Sequence, residues 1–417
     1  MAAVDGGFRP AACQQDANDA PTCPAPALEE RVAVETYPGI AVLFHDPDGC
    51  LVCRTVADEA GLAEAALPGG GMASITDGEV AFTVGGLSAG DSIHIGYPTM
   101  PGNTNPRTFR VSAPDQVGAT SYRAVVGGCA GSAATPPIDL VVDDSCLDGD
   151  GSVSIIMVAS DAGGTILAYG WIADAAVPPA GEIASVSLSA WATGSSPVTF
   201  AVSAIPDDIG EVSATFGWAG DRYLYDCCSA SSQSAAAVDL DLAIPSLPGA
   251  PDLYSITLDR AMGHDTDMDL LMRVVDDVTS PIAIDVASDF LPHITSAAHD
   301  REVDRPVFSW VTAAEPGEAD LLVLRASWQQ YQWWFALPPD TAPPVAFPDM
   351  PDDLGPSGLL GRYAFVMYAD VSTVTTWSQA RADAYALFFV PYVPRWSVGP
   401  GFVYRLAVYD DYDFPEP

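Results

Sequence analysis

Aspartates fall in three short clusters that could hold a hard cation. Calcium takes carboxylate and carbonyl oxygens from turns, and a bound cation would relieve the repulsion between neighbouring acids. The segment around Gly149 lacks the acid that ends an EF-hand loop, and solvated turn acids are the alternative interpretation. Calcium is the one cofactor that the sequence predicts, at Asp143, Asp144, Asp148 and Asp150; at Asp265, Asp267 and Asp269; and at Asp410, Asp411 and Asp413.

An aromatic segment, WQQYQWWF, could stack against sugars. It places amide side chains between aromatic faces, an arrangement that suits carbohydrate CH groups and hydroxyls. Core packing is the alternative, because a hairpin turning at Gln329 and Gln330 would bury one face of each strand. Trp333 and Trp334 point to opposite faces of a strand, so one of them must leave the core or meet another domain. The candidate ligand-binding residues are Trp328, Tyr331, Trp333 and Trp334.

The residues that commonly perform catalysis do not form a motif. Five histidines lack the H-E-x-x-H pattern of zincins, and no G-x-S-x-G elbow occurs. The chain contains no lysine, which excludes P-loop, pyridoxal and Ser-Lys chemistry. His264 lies beside Asp265 and Asp267, and we interpret that segment as a loop. We predict a protein without catalytic residues.

Eight cysteines, an even number, predict disulfides and an oxidising compartment. Cys50 and Cys53 could form a redox or zinc half-site, but they follow a turn and begin a strand instead of a helix. The local pairs that the spacing favours are Cys13 with Cys23 and Cys129 with Cys146. Residues 1–26 lack an apolar signal region, yet residues 13–26 are typical of the polar spacer that follows a cleavage site.

The charge balance restricts the partners of this protein. Sixteen arginines face 55 acids, for a formal charge of −39, and such a surface repels nucleic acid and anionic headgroups. Asparagine is scarce as well, so codon usage in a GC-rich genome is the favoured explanation of the missing lysine. Selection for an acidic, salt-tolerant surface is the alternative, and it better explains the excess of acids. Aspartate outnumbers glutamate 43 to 12, and this preference for a turn residue favours a β protein.

Apolar and polar residues alternate with a period of two from Arg31 onward, which predicts an all-β chain of tandem antiparallel sandwiches. One helix is predicted, over 376–386. No apolar run reaches the ~18 residues of a membrane helix, and no short repeat suggests a propeller or solenoid. Clusters of turn residues predict a flexible leader over 1–30 and β domains over 31–118, 119–248 and 250–417, the last larger and aromatic-rich, with a Pro-rich loop inside it.

The first β domain resembles the carboxypeptidase regulatory-like and bacterial Ig-like modules. The similarity lies in the strand over 39–44, the turn from Asp46 to Gly49, and the corner from Thr55 to Gly61. It implies a small transthyretin-like sandwich with a spacer, adhesion or display role. Cys50 and Cys53 depart from the usual module. The order of elements over 129–171 is similar to β domains in large secreted proteins of myxobacteria and related predatory bacteria.

Together these features predict a non-catalytic structural, adhesion or display protein, secreted or lipid-anchored at a bacterial surface. Its expected partners are proteins or glycans there, and its expected fold is Ig-like or transthyretin-like. A carbohydrate-binding protein or polysaccharide-active enzyme that uses the aromatic domain is the alternative. The two hypotheses predict different structures. An enzyme requires a cleft where acids and tryptophans converge, whereas a display module has flat sandwich faces and filled cores.

Overall fold

The structure, a computed structural model, consists almost entirely of β-strands. Within the described residues it has 28 strands, two short α-helices, Val286–Asp289 (α1) and Trp377–Ala382 (α2), and two 3-10 helices, Ala17–Asp19 and Leu28–Glu30. The all-β prediction is confirmed, and α2 lies within the predicted helix. The described residues are 13, 16–67, 69–76, 80–95, 106–143, 146–147, 151–219, 224–233, 235–260, 268–300, 305–328, 331–355, 363–382 and 400–412.

The first seven strands form a two-sheet sandwich, which we call sandwich 1 (31–95). A three-stranded sheet in the order β4-β1-β7 faces four strands in the order β3-β2-β5-β6. The central β1 runs antiparallel to β4 and parallel to β7. The strands are Arg31–Glu35 (β1), Ala41–His45 (β2), Leu51–Val56 (β3), Leu62–Ala66 (β4), Gly71–Thr76 (β5), Val80–Leu87 (β6) and Ser92–His94 (β7).

The next two sandwiches repeat this strand order. In sandwich 2 (107–187) the strands are Arg107–Ser112 (β8), Ser121–Val126 (β9), Cys129–Ala133 (β10), Ile138–Val142 (β11), Ser152–Ser160 (β12), Ile166–Ala176 (β13) and Ile183–Ser187 (β14). In sandwich 3 (195–285) they are Ser195–Ser203 (β15), Ile209–Ala219 (β16), Leu224–Gln233 (β17), Ala237–Pro245 (β18), Asp252–Arg260 (β19), Met268–Val275 (β20) and Ile282–Asp285 (β21). Each first strand again lies between the fourth, antiparallel, and the seventh, parallel.

Sandwich 4 (294–412) follows the same plan with one exchange. Strand β23 is the equivalent of the first strand of the other sandwiches. Strand β22, which precedes it in the chain, takes the place of the seventh strand and runs antiparallel to β23. The sheets have the orders β22-β23-β26 and β28-β27-β24-β25. The strands are Ile294–Asp300 (β22), Val307–Thr312 (β23), Leu321–Trp328 (β24), Tyr331–Leu337 (β25), Val345–Ala346 (β26), Tyr363–Val371 (β27) and Val403–Tyr412 (β28).

One twelve-stranded sheet joins three of the sandwiches. Strand β20 pairs with β28, and β25 pairs in parallel with β6, so sandwich 4 lies between sandwiches 3 and 1. This sheet crosses the predicted domain boundaries, and β8 pairs with strands beyond position 118. Turn-rich composition marks where strands end but does not show which edges pair, so the domain boundaries stay a prediction.

The central strands of this sheet are buried on both faces, which explains the adjacent tryptophans. Trp333 packs with Phe335 in the core of sandwich 4, and Trp334 packs with Phe82 of sandwich 1 in the core on the other face. Their exposed fractions are only 2% and 9%. The second indole therefore meets another sandwich, and neither indole belongs to a surface platform.

Aspartate begins several of the turns that connect the strands. The Oδ1 atoms of Asp46, Asp58 and Asp161 each accept two backbone N–H groups, two and four residues ahead. Each turn then closes on a glycine with positive φ, such as Gly49 at 80°, where a side chain would cost energy. These local contacts account for part of the aspartate surplus.

The segment before β1 is attached to the edge of the twelve-stranded sheet. Thr22 bridges Arg54 of β3, and two disulfides, Cys13–Cys50 and Cys23–Cys53, anchor the segment. The predicted Cys13–Cys23 pair is therefore wrong, and the leader is ordered over the described residues 16–30. The physical reason is that β3 is an outer strand whose free edge the segment covers. Cys129–Cys146 forms as predicted.

Replacing Cys23 and Cys53 by serine should lower the free energy of unfolding by about 2–4 kcal/mol, because this disulfide closes a long loop in the unfolded chain. Chemical denaturation of the full chain measures the change. The matched control replaces Cys227 and Cys228, which are adjacent in sequence and close almost no loop. An equal loss of stability in both double variants would contradict the expectation.

Candidate functional site

An ionic cluster, buried except for Asp208, lies at the junction of sandwiches 3 and 4. His293, just before β22, hydrogen-bonds Asp269 through Nδ1 and Asp208 through Nε2, the latter at 2.7 Å. Arg260 donates to the same Asp208 oxygen at 3.2 Å and lies 5.1 Å from the ring centroid of Tyr409 in β28. Asp269 is 2% exposed and His293 is 9% exposed. The cluster thus joins the β15–β16 loop and the β19–β20 hairpin to sandwich 4.

The surroundings of His293 favour the imidazolium form. Burial alone would lower the pKa of His293, but hydrogen bonds and charge from Asp269 outweigh burial and raise it. Burial would raise the pKa of Asp208, but His293 and Arg260 lower it. Each imidazole nitrogen lies within hydrogen-bond distance of a carboxylate, and Nε2 also lies 3.0 Å from Nη1 of Arg260, so neighbouring side chains engage both nitrogens. This arrangement holds two sandwiches together and does not resemble a general base.

A second buried polar chain crosses the seam between β6 and β25. The Trp333 indole donates to Thr83 Oγ1 at 2.9 Å, Thr83 and Ser74 hydroxyls lie 2.7 Å apart, and Ser74 lies 3.0 Å from His45 Nε2. Burial, with a contribution from Arg305, lowers the pKa of His45 to about 3. The Ser74–His45 contact has the geometry of a nucleophile and its base, yet both residues are 0% exposed, so no substrate can reach them.

Arg305 fastens sandwich 4 to the first turn of sandwich 1. Its guanidinium donates to the carbonyl of Asp48 at 2.7 Å and to that of Phe347 at 2.7 Å. A Cβ added at Gly49 would lie 2.4 Å from Nη2 of Arg305. Gly49 is favoured by its positive φ, and a Cβ at this position would displace the Arg305 guanidinium.

The described members of the three predicted calcium clusters have different neighbours: a histidine at Asp269, an arginine at Asp410 and a disulfide at Asp143. Asp269 is held by His293, and a positive imidazolium there disfavours a cation. Asp410 is buried 3.7 Å from Arg325, and Arg325 stacks on Trp334. Asp143 lies close to Cys129 and Cys146, but those sulfurs form a disulfide and cannot act as thiolate ligands. Outside the described residues lie Asp144, Asp148, Asp150, Asp265, Asp267 and Asp413, together with His264 and the side chains of Asp411, Trp328 and Tyr331.

A cavity of about 270 Å³ opens at one end of sandwich 4. Its walls are the β23–β24 loop and the Pro-rich β25–β26 loop. The indole of Trp310 donates to the hydroxyl of Tyr368 at 2.9 Å, and burial raises the pKa of that hydroxyl. The remaining polar side chains of the lining are Thr312, Glu315, Asp340 and Thr341.

These lining residues were not predicted as a site. Trp310 and Tyr368 lie outside the aromatic segment, and the topology brings them together across 58 positions. Two acids, Glu315 and Asp340, lie outside the predicted clusters. The one signal in the sequence was the Pro-rich stretch inside the third predicted domain, since long loops within compact domains often carry function.

Comparisons with known proteins show no family. No family model and no curated protein matches the chain. Three similar solved structures are a leucine-rich repeat protein from Bacteroides thetaiotaomicron (12% identity, 43% of this chain and 26% of that one, TM-score 0.19), the Bacillus anthracis TIE protein (7%, 61% and 49%, 0.14) and a streptococcal ancillary pilin (7%, 61% and 98%, 0.17). The chain thus spans less than half the length of the first two, and none carries a functional argument.

Replacing His293 by alanine should destabilise the protein by about 3–5 kcal/mol near pH 6, because the buried Asp269 loses its partner. Because the pKa of His293 is raised in the folded state, the stability that its imidazolium contributes is fully present below pH 6.5, the ordinary pKa of histidine. It is lost as the pH rises through the folded-state pKa. The pKa of Asp208 is lowered in the folded state, so its carboxylate stabilises the protein fully above pH 3.8, the ordinary pKa of an aspartate. That stabilisation is lost as the pH falls through the folded-state pKa.

Urea denaturation of wild type and variant between pH 5 and pH 10 measures this difference. His94→Ala is the matched control, because His94 is exposed on β7. A stability difference that stays constant or grows toward alkaline pH would refute the assignment of a buried imidazolium.

Proposed function

We propose that the protein is a non-catalytic extracellular scaffold with a structural, adhesion or display role at a bacterial surface. The observation that supports this most is the twelve-stranded sheet, which unites three sandwiches into one body. Four disulfides are compatible with an extracellular location. Among the described residues, no helix is long and apolar enough to cross a membrane.

The polar clusters support the same proposal. The groups that resemble catalytic pairs, Ser74 with His45 and His293 with Asp269, are buried at seams between sandwiches. His293 connects sandwich 4 to Asp269 of sandwich 3, and Ser74 is linked through Thr83 to Trp333 of sandwich 4, so both groups lie in contacts that hold sandwiches together. The aromatic residues Trp333 and Trp334 fill cores, so they do not favour the alternative of a sugar-active protein.

We also propose that the first sandwich is a transthyretin-like module of the carboxypeptidase regulatory-like kind. Its three- and four-stranded sheets and the turns at Asp46 and Asp58 support the resemblance. The sandwich repeats its strand order in the next two units. The resemblance implies a spacer, adhesion or display role for these modules.

The surface location is tested on the protein in its native cells. Intact cells are treated with a protease and, separately, lysed under alkylating conditions to count free thiols on the chain. We expect cleavage of the chain without lysis and no free thiol. A protected chain with reduced cysteines would overturn the proposal, and a cytosolic protein in the same samples is the control for cell integrity.

Calcium remains a proposal for the cluster of Asp144, Asp148 and Asp150. A bound ion there should raise the melting temperature of the full chain when Ca²⁺ is added and lower it with a chelator. Calorimetry of the wild type and of the Asp148→Asn variant, with Mg²⁺ as the control ion, measures the effect. A melting temperature that does not respond to either treatment would contradict the proposal.

A further inference from the structure

The fourth strand of sandwich 4 is cut short. Strand β26 pairs with β23 at two positions, Phe308 and Val307, whereas the equivalent strands of the other sandwiches pair over five, five and nine positions. Continuing the antiparallel register would set Pro344 opposite Ser309 and Pro343 opposite Trp310. Because proline has no N–H to donate, the chain leaves the sheet at this point.

The cavity lies where that strand would have continued. Trp310 and Thr312, at the end of β23, form part of its lining, and residues 339–343 of the β25–β26 loop line it as well. Its volume of about 270 Å³ is below the ~300–1,000 Å³ of most ligand pockets. The space therefore suits a group the size of one side chain better than a sugar chain.

The lining is rich in hydrogen-bond acceptors. Glu315 and Asp340 contribute carboxylates, which accept only, while Thr312, Thr341 and Tyr368 contribute hydroxyls. The lining residues include no arginine, histidine or side-chain amide. The two carboxylates accept hydrogen bonds from a ligand that brings donors, and a positive charge would be attracted both by them and by the formal charge of −39. Proline and aromatic surfaces complete the walls and suit an alkyl stem.

We propose that this cavity binds an alkylammonium group, supplied by a free amine or by a lysine side chain of a partner protein. The stem lies along the proline and aromatic surfaces, and the ammonium donates to Glu315 and Asp340 at the rim. The chain has no lysine of its own, so a second copy cannot supply this group. The inference does not depend on the scaffold role, because it concerns one cavity in one sandwich.

Isothermal titration calorimetry of the full chain at low salt tests the inference with four probes. N-acetyl-lysine methylamide represents a partner side chain, n-butylammonium represents a free amine, and both should bind. The neutral Nε-acetyl derivative of the first probe and glucose should not bind. Salt should weaken binding of the two cations, since screening acts on ion pairs at a rim. Binding by only one of the two cations identifies the source of the group and supports the site.

Glu315→Gln and Asp340→Asn should each weaken binding of the cationic probes about two- to fivefold, and the double variant should weaken it about tenfold. These side chains are exposed, so the variants should keep the wild-type melting temperature. The matched control is Glu182→Gln, an exposed acid of sandwich 2. Binding of glucose, unchanged affinity in the double variant, or no binding of either cation would overturn the inference. None of these results alters the protease and thiol measurements on native cells.

Discussion

The architecture depends on one constraint, that the edge of a β-sheet must be paired or covered. Each four-stranded sheet has two outer strands with unpaired N–H and C=O groups. Pairing β20 with β28 and β25 with β6 removes four such edges at once, and the segment around Thr22 covers the edge of β3. The buried polar contacts follow from this pairing. Trp333 meets Thr83 at one seam, and His293 meets Asp269 beside the other.

Local features of this chain could be predicted from its sequence, because neighbouring residues determine them. Alternation of apolar and polar residues predicts strands, and the turns at Asp46, Asp58 and Asp161 need only the next four residues. The Cys129–Cys146 disulfide spans 17 positions and was predicted for the same reason. Cys13–Cys50 spans 37 positions, and its formation depends on which strand lies at the edge of the sheet.

The repeated strand order could not be read from the sequence. A sandwich core accepts many apolar residues at inward positions, provided that volume and alternation are kept. Three sandwiches can therefore share one topology, and a fourth can share all but one strand of it, without a recognisable sequence repeat. The same argument applies to the junction and the cavity. His293 lies 24 and 85 positions from its two carboxylate partners, and only the pairing of sheets brings them together.

The order of sandwiches in the large sheet differs from their order along the chain. Sandwich 1 is made first, yet its strand β6 pairs with β25, a strand of the last sandwich. About 250 more residues must therefore be synthesised after β6 before β25 is available to pair with it. The edge of β6 stays unpaired during this interval, which is long for an exposed strand. The nascent chain consequently presents a β edge throughout most of its synthesis. A folding helper that shields strand edges would have its greatest effect on this stretch of the molecule.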